Sequence, residues 1–216
     1  MYYLRIKVQF VLLFLQERLV SMAKQSEKKY QKLLEKAEEL FWKYGYGSVS
    51  VDQIAKEAGI SKMTIYKHFH SKEDLFIEVL MKYTVHHMNI LQDKINAKYH
   101  TFEKIQEMYD YTLNLSNTLS PIFIKEIMDR AHILQRLVSY KQEKMLVMWR
   151  SIVEDGIRKK EIRNLDVDFT ANLLLHMPNA FIRSEDYMDE TKRLKMLENF
   201  FDFLKFGLLG GIENPK

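Results

Sequence analysis

The chain has 216 residues, of which 47% are hydrophobic and 29% are charged, a balance typical of a folded globular protein rather than a disordered one. It contains no cysteine, which excludes disulfide bonds, cysteine-ligated zinc and a cysteine nucleophile. The net charge of +4 is mildly basic, which is compatible with nucleic-acid binding but does not establish it.

Residues 1–22 differ from the rest of the chain. Their apolar run, Phe10–Leu15, is much shorter than the roughly 20 residues that a membrane-spanning helix needs. No small-residue cleavage site of a signal peptide follows this run. We therefore expect residues 1–22 to be an extension outside the fold. The alternative is an amphiphilic N-terminal helix that packs on the body of the protein or contacts a membrane surface.

The first predicted helix begins near Tyr30. Only 7 glycines and 3 prolines are present in the whole chain, which favours long helices joined by short links. From Tyr30 to Tyr44 the apolar residues are spaced three and four apart, as on one face of an amphipathic α-helix. Gly45 and Gly47 are expected to end this helix.

Three serines are placed to cap the next three helices: Ser50, Ser61 and Ser71. The helices predicted after them cover Val51–Ala58, Lys62–Phe69 and approximately Ser71–Ile95. Gly59 is expected to end the first of these helices, because glycine tolerates the left-handed conformation of a helix C-terminus. Two short helices separated by a tight turn are thus predicted within residues 50–70.

Beyond Tyr83 the apolar pattern remains helical, and no alternating strand pattern is longer than a few residues. A link is expected at 96–101, and Pro121 is expected to begin or break a helix. Gly156 is expected to interrupt a helical run over about residues 140–160.

The C-terminal quarter is predicted to contain a loop and two helical segments. Residues 161–168 are predicted to form the loop, with a helix cap at Asp166 or Asp168. Pro178 is expected to kink the helix that follows. The last helix is predicted over Glu190–Leu209.

The two short helices have the pattern of a helix-turn-helix. Ile65 and Phe69 are four positions apart, so they share one helical face and are expected to point into the core. Ala55 is small enough to let two helices cross closely. The rest of the second short helix then faces outward, as does a recognition helix that enters a DNA major groove about 12 Å wide.

The segment SVSVDQIAKEAGISKMTIYKHFHSKEDLF (48–76) closely resembles the DNA-binding signature of TetR-type transcriptional regulators. Residues 27–83 match the four-helix layout of that domain. The resemblance implies an all-α homodimer whose two recognition helices enter successive major grooves of a palindromic operator. It also implies a larger C-terminal domain that binds a small molecule and dimerises.

The resemblance implies three parts with about nine helices. We expect an N-terminal extension at 1–22, a three-helix DNA-binding domain of helix-turn-helix type at 23–72, and an effector-binding and dimerisation domain at 73–216. Dimer contacts are expected near 168–182 and 190–209.

The resemblance assigns DNA contacts to eight residues. Four of these residues are expected to contact base edges or phosphates: Lys62, Met63, Thr64 and Lys67. The other four are expected to contact phosphates or to lie at the rim of the interface: Ser50, Tyr66, His68 and Lys72. Met63 departs from the family, which commonly has a small residue there, often glycine. Its long side chain either reads a thymine methyl group or imposes a different approach to the groove.

Residues 102–149 are rich in aromatic residues and methionine, which predicts an adaptable apolar effector pocket. For any single residue, ordinary core packing is the alternative. The candidate effector-binding residues are Phe102, Met108, Tyr109, Phe123, Met128, His132, Met145, Trp149 and His176.

The chain has no glycine-rich phosphate-binding motif and no hydrolase signature, and its histidines lack the i, i+4 spacing of a helical metal pair. We therefore expect no enzymatic activity, no metal and no cofactor. The expected function is that of a cytoplasmic repressor, released from a palindromic operator by a small apolar or aromatic effector. The alternatives are an effector-independent DNA-binding protein and a helical protein-interaction module of the same fold.

Overall fold

The computed structural model describes residues 24–116, 121–177 and 190–209, and all regular structure within these ranges is α-helical. This confirms the predicted fold class. The extension at 1–22 and the kink at Pro178 lie outside the described residues. The described residues divide into two compact units. The first unit contains 24–82 and 121–129, and the second contains the remainder.

In chain order, the described helices are α1 (24–44), α2 (Val51–Ala58), α3 (Lys62–His68), α4 (Lys72–Asn96), α5 (Thr101–Ser116), α6 (Pro121–Met128), α7 (Ala131–Arg158), α8 (Val167–His176) and α9 (Glu190–Leu209). The first unit contains α1, α2, α3 and α6 together with the beginning of α4. The division falls inside α4, between Lys82 and Tyr83, so this helix contributes residues to both units. No helix in the described ranges is both long and apolar enough to cross a membrane.

The apolar stripe of α1 forms the centre of the first unit. Leu33, Ala37 and Phe41 are fully buried, as the spacing of apolar residues predicted. The Phe41 ring meets Phe76 of α4 edge-on, with the ring centroids 5.0 Å apart. Ile54 of α2 is also fully buried. Burial of such side chains contributes about 1.5–3 kcal/mol each, which explains how short helices are held in place.

The three predicted serine caps are present. Each hydroxyl accepts a hydrogen bond from the backbone N–H three residues later, at 3.1, 3.1 and 3.0 Å: Ser50 from Gln53, Ser61 from Thr64, and Ser71 from Asp74. Gly59 ends α2 with φ at 69°, as expected. An N-cap of this kind contributes about 1 kcal/mol, a large share for helices of 8 and 7 residues.

The core of the second unit is aromatic. Trp149 of α7 is fully buried and lies 5.2 Å from Tyr109 of α5, measured between ring centroids. Phe200 of α9 meets the Tyr109 ring edge-on at 5.1 Å. Leu91 of α4 and Leu174 of α8 are buried in the same cluster. Residues from every helix of this unit therefore share one apolar core.

Gly156 does not interrupt α7, contrary to the prediction from sequence. The helix is continuous over 28 residues from Ala131 to Arg158. A Cβ atom on residue 156 would lie 2.7 Å from Cγ2 of Thr101 and 3.1 Å from Cγ1 of Ile162. Glycine therefore permits the close approach of neighbouring segments, and the packing offsets its helix-propensity cost of about 1 kcal/mol.

The remaining helix boundaries agree with the sequence. Pro121 begins α6, and α9 covers the predicted range Glu190–Leu209. Of the two candidate caps for α8, Asp166 has this role, because its Oδ1 accepts a hydrogen bond from the Phe169 N–H at 2.7 Å.

Candidate functional site

The third helix, α3, has two distinct faces. Ile65 and Phe69 are buried and hold the helix on the first unit, as predicted. Met63 is 71% exposed and Tyr66 is 45% exposed. Lys67 is exposed on the same outer surface. The helix thus presents a long apolar side chain, a phenol and an ammonium to solvent.

Lys62 lies at the start of this outer surface and pairs with Asp52 of α2 at 2.8 Å. The hydrogen bond from the ammonium to the Asp52 carboxylate raises the pKa of Lys62. Both side chains are exposed, so water and salt screen the pair. The pair therefore holds Lys62 only weakly on Asp52.

Three other candidates lie near the ends of α2 and α3. Ser50 is exposed, and its hydroxyl caps α2. Thr64 is half-buried, with its hydroxyl 2.8 Å from that of Ser61. The His68 ring is exposed at the C-terminal end, 5.2 Å from the Tyr30 ring of α1. These contacts position the ends of α2 and α3.

Lys72 makes its contacts with the loop between α1 and α2. Its Nζ donates to the carbonyl oxygens of Tyr46 at 2.8 Å and Val49 at 2.9 Å. The same ammonium lies 4.1 Å from the centroid of the Tyr46 ring, within the range of a cation–π interaction. In this structure Lys72 positions the loop that leads into α2. Its expected contact with phosphate stays a prediction.

Glu126 of α6 contacts the same loop from another direction. Its carboxylate accepts hydrogen bonds from the backbone N–H groups of Tyr46 at 2.6 Å and Gly47 at 2.9 Å. Sequence reasoning missed this residue. Glu126 lies 80 positions from Tyr46 in a short, mostly apolar helix, so no local pattern indicates its partner.

The candidate effector residues differ in their burial: some lie in the core of the second unit, one lines a cavity, and others are exposed. Met108, Tyr109 and Trp149 are buried in the core of the second unit, and Met145 packs against that core. The Tyr109 hydroxyl donates to the Leu174 carbonyl at 2.6 Å, and burial raises the pKa of Tyr109. Phe102 contributes to a largely apolar cavity of about 240 Å³, whose lining also includes Ile105, Ile162 and Leu208.

Three candidates are exposed and so lie outside this core: Met128, His132 and His176. An effector enclosed in the core of the second unit would not contact them there. The side chain of Phe123 lies outside the described residues.

Comparison with known proteins supports the helix-turn-helix geometry. Residues 33–79 match the family model described as bacterial regulatory proteins, tetR family. The HTH-type transcriptional regulator YhgD of Bacillus subtilis (strain 168) is 27% identical over 154 residues, which cover 69% of this chain and 80% of the relative. The fatty acid metabolism regulator protein of the same organism is 25% identical over 195 residues, which cover 88% of this chain and 99% of the relative.

A solved structure supports the fold over most of the chain. The transcriptional regulator FadR from Bacillus subtilis, in complex with stearoyl-CoA, aligns with a TM-score of 0.53 at 22% identity. The alignment covers 85% of this chain and 100% of FadR. Because the family model, the relatives and the geometry of α3 agree, we conclude that residues 33–79 form a helix-turn-helix domain of the kind found in bacterial regulatory proteins of the tetR family.

Proposed function

We propose that this protein is a cytoplasmic transcriptional repressor that binds a palindromic operator as a homodimer and is released by a small apolar or aromatic effector. The observation that carries the proposal is the division of α3 into a buried anchor and an exposed surface with Met63, Tyr66 and Lys67. A helix held in this way can enter a major groove without losing its own core contacts.

The exposed side chains of α3 divide into positioning and reading groups. Lys62 and Lys67 are suited to phosphates, because ammonium groups that contact phosphates release counterions and position a protein on DNA without reading sequence. Met63 is suited to base edges, since its apolar side chain can contact a thymine methyl group in the major groove.

The homodimer is supported by exposed apolar side chains on α8 and α9. Phe169 and Leu173 lie four residues apart on α8, and Phe203 and Phe206 lie three apart on α9. Such spacing places each pair on one helical face. Water-exposed aromatic surface of this kind is typical of protein–protein contacts. We propose that a second copy of the chain covers these residues.

The proposed release mechanism connects the core of the second unit to α3. Met108, Met145 and Met148 give that core side chains that repack easily around a ligand. An effector would favour a dimer state in which the recognition helices no longer match half-sites about 34 Å apart. Because α4 contains residues of both units, it is the helix through which we propose the change is transmitted.

Binding to DNA is tested with the full-length chain and duplexes selected from a random pool, measured by fluorescence anisotropy at several salt concentrations. We expect affinity to fall steeply with salt, and Lys67→Ala to weaken binding and reduce the salt slope by about 1. Lys144→Ala, on the exposed side of α7, is the matched control. The assigned interface would be overturned if wild type selects no duplex, or if Lys67→Ala and Tyr66→Ala both bind the selected duplex as tightly as wild type does.

A further inference from the structure

A polar groove of about 600 Å³ lies where the C-terminal ends of α4 and α7 meet the start of α5. Its volume is within the roughly 300–1,000 Å³ of small-molecule sites. Two carboxylates contribute to its lining, Glu154 and Asp155. Four cations contribute to the same lining: Lys98, Lys104, Arg158 and Lys159. Four positive and two negative charges leave these lining side chains with a net charge of +2.

The carboxylates beside the groove are each shared by more than one cation. The Asp155 carboxylate has three cationic partners: Lys104 at 2.6 Å, Arg158 at 2.5 Å and Lys159 at 2.9 Å. The Glu107 carboxylate contacts Lys98 at 3.5 Å and Lys94 at 2.9 Å. One negative charge cannot neutralise two or three positive ones, so the ion pairs of the groove leave an excess of positive charge.

Stabilisation of helix ends explains only part of this cluster. Arg158 and Lys159 lie at the C-terminal end of α7, where the helix dipole favours cations. Lys104 lies near the start of α5, where the same dipole effect is unfavourable to a cation. Lys98 lies in the link between α4 and α5, outside both helices. Cations from three separate segments of the chain therefore line one groove.

Two of these cations have unused hydrogen-bond donors. The side chain of Arg158 is 77% exposed, and its hydrogen bond to Asp155 uses one of the five guanidinium N–H groups. Lys159 uses two of its three ammonium donors, on Asp155 and on the Tyr99 carbonyl. A phosphate accepts several hydrogen bonds, and an arginine can bind it through two of them at once. An anionic ligand can thus bind in the groove without displacing Asp155.

Tyr99 adds an aromatic surface to the same groove. It is 68% exposed, although it is a large aromatic residue. Lys159 positions it, because Nζ donates to the Tyr99 carbonyl at 2.7 Å and lies 4.4 Å from the centroid of the Tyr99 ring. Exposed aromatic rings beside a positively charged groove bind nucleotide bases by stacking. The groove therefore combines features that suit a phosphate with a feature that suits a planar ring.

We propose that this groove binds a small phosphate ester that carries an aromatic ring, with the phosphate at Lys98, Arg158 and Lys159 and the ring on Tyr99. A nucleoside monophosphate has both parts. The inference goes beyond the proposed function and does not depend on it, because none of the described candidate effector residues is among the lining side chains of the groove.

Other classes of ligand fit the groove less well. A metal ion would be repelled by the cations of the lining, and Asp155 already has three cationic partners. A fatty acid would place its hydrocarbon chain against a polar lining. Inorganic phosphate alone would balance the charge but would leave Tyr99 without a partner for its exposed ring surface. A phosphate joined to a planar ring uses both features.

The test measures binding to the full-length protein by isothermal titration calorimetry at low salt. The probes are the 5′-monophosphates of adenosine, guanosine and uridine, the three nucleosides, which lack the phosphate, and inorganic phosphate, which lacks the ring. We expect at least one monophosphate to bind about tenfold more tightly than both its nucleoside and inorganic phosphate. Its affinity should fall as salt is added, because the lining cations are screened.

Charge variants test the phosphate contacts in both directions. Arg158→Met and Lys98→Met should each weaken binding of the monophosphate about tenfold and leave binding of the nucleoside unchanged. Glu154→Gln should strengthen binding of the monophosphate, because it removes a negative charge from the lining. Arg150→Met is the matched control, since Arg150 is an α7 arginine that pairs with Asp168 and does not line the groove. It should bind the monophosphate as wild type does.

Ring variants test Tyr99. Tyr99→Phe should bind the monophosphate as wild type does, whereas Tyr99→Leu should bind it no more tightly than inorganic phosphate. Thermal unfolding confirms that each variant is folded. Lys98 pairs with Glu107 rather than with Asp155, so Lys98→Met tests the site even if Arg158→Met disturbs the end of α7.

The inference is overturned if wild type binds no monophosphate more tightly than its nucleoside, or if folded Lys98→Met and Arg158→Met both keep the wild-type affinity. Equal affinity for the monophosphate and for inorganic phosphate would overturn the role of Tyr99. Operator binding is measured separately, and its loss or absence contradicts only the proposed function.

Discussion

The Glu126 carboxylate of α6 accepts a hydrogen bond from the backbone N–H of Tyr46 at 2.6 Å, although 80 positions separate the two residues. Lys72 of α4 donates to the carbonyl of the same Tyr46 at 2.8 Å. One residue of the α1–α2 loop is therefore held through both its backbone donor and its backbone acceptor. Since the loop leads directly into the cap of α2 at Ser50, these contacts position the helix-turn-helix.

Replacing Glu126 should loosen this loop. We expect Glu126→Ala to lower the free energy of unfolding by about 1–3 kcal/mol, because it removes charge-assisted hydrogen bonds to two backbone N–H groups. The operator affinity should also fall, because α2 loses its fixed starting point. Thermal unfolding and fluorescence anisotropy measure the two effects. Glu143→Ala, at an exposed position of α7, is the control, and equal losses in both variants would contradict the assigned role.

The cap of the recognition helix should be measurable by itself. Ser61→Ala removes the oxygen that accepts from the Thr64 N–H at 3.1 Å. We expect a loss of about 1 kcal/mol, or about 2–4 °C in Tm for a chain of this size, together with weaker operator binding. Ser139→Ala, at an exposed position within α7, should leave both unchanged. Normal DNA binding by Ser61→Ala would show that DNA contacts alone can order α3.

Met63 is expected to set sequence preference rather than overall affinity. Met63→Ala leaves the proposed phosphate contacts of Lys62 and Lys67 in place, so we expect the salt dependence of binding to be unchanged. The preference at one base pair should weaken, since the variant lacks the side chain that we propose contacts a thymine methyl group. Selection from a random duplex pool with both proteins checks this. Identical selected sequences would show that Met63 does not read bases.

Charged substitutions on α8 and α9 should separate the proposed homodimer. Phe169 is 68% exposed and Phe203 is 63% exposed, so replacing them should disturb the fold little. We expect Phe169→Glu with Phe203→Glu to give a monomer by light scattering, because like charges would face each other across the interface. Tyr99→Glu, at an exposed aromatic position outside these helices, is the control. A wild-type monomer, or a double variant that remains dimeric, would contradict this interface.

Asp155 should make the free energy of unfolding depend on pH in the acidic range. Its carboxylate contacts Lys104 at 2.6 Å, Arg158 at 2.5 Å and Lys159 at 2.9 Å. Burial acts to raise the pKa of Asp155, but hydrogen bonds from these cations outweigh burial and hold the pKa well below its usual range. Because the pKa is lower in the folded state, the stabilisation is complete above the unfolded pKa of about 4 and is lost as pH falls through the folded pKa.

Denaturant unfolding at a series of pH values compares wild type with Asp155→Asn. We expect the variant to be less stable at neutral pH and the difference to shrink progressively below about pH 4. Asp202→Asn, at an exposed position of α9, is the control. A wild-type advantage that stays constant to pH 2 would contradict the role of the ionised carboxylate.

Local sequence patterns predicted the helix-turn-helix closely. Ser50, Gly59 and Ser61 act on backbone groups a few positions away, and the spacing of Ile65 and Phe69 determines which side of α3 is buried. Gly156 shows the limit of such reasoning. Its sequence position indicated a break, whereas its tertiary neighbour Thr101 explains why glycine lies within a continuous helix.

By itself, the sequence determined the all-α fold, the boundaries of the short helices and the outward face of α3, because caps, turns and helical periodicity act over fewer than ten residues. Only the tertiary structure decided that Glu126 and Lys72 hold the α1–α2 loop and that Thr101 packs against Gly156. Such contacts join positions far apart in the chain. Their formation depends on how the helices pack, and residue spacing along one helix carries no record of that packing.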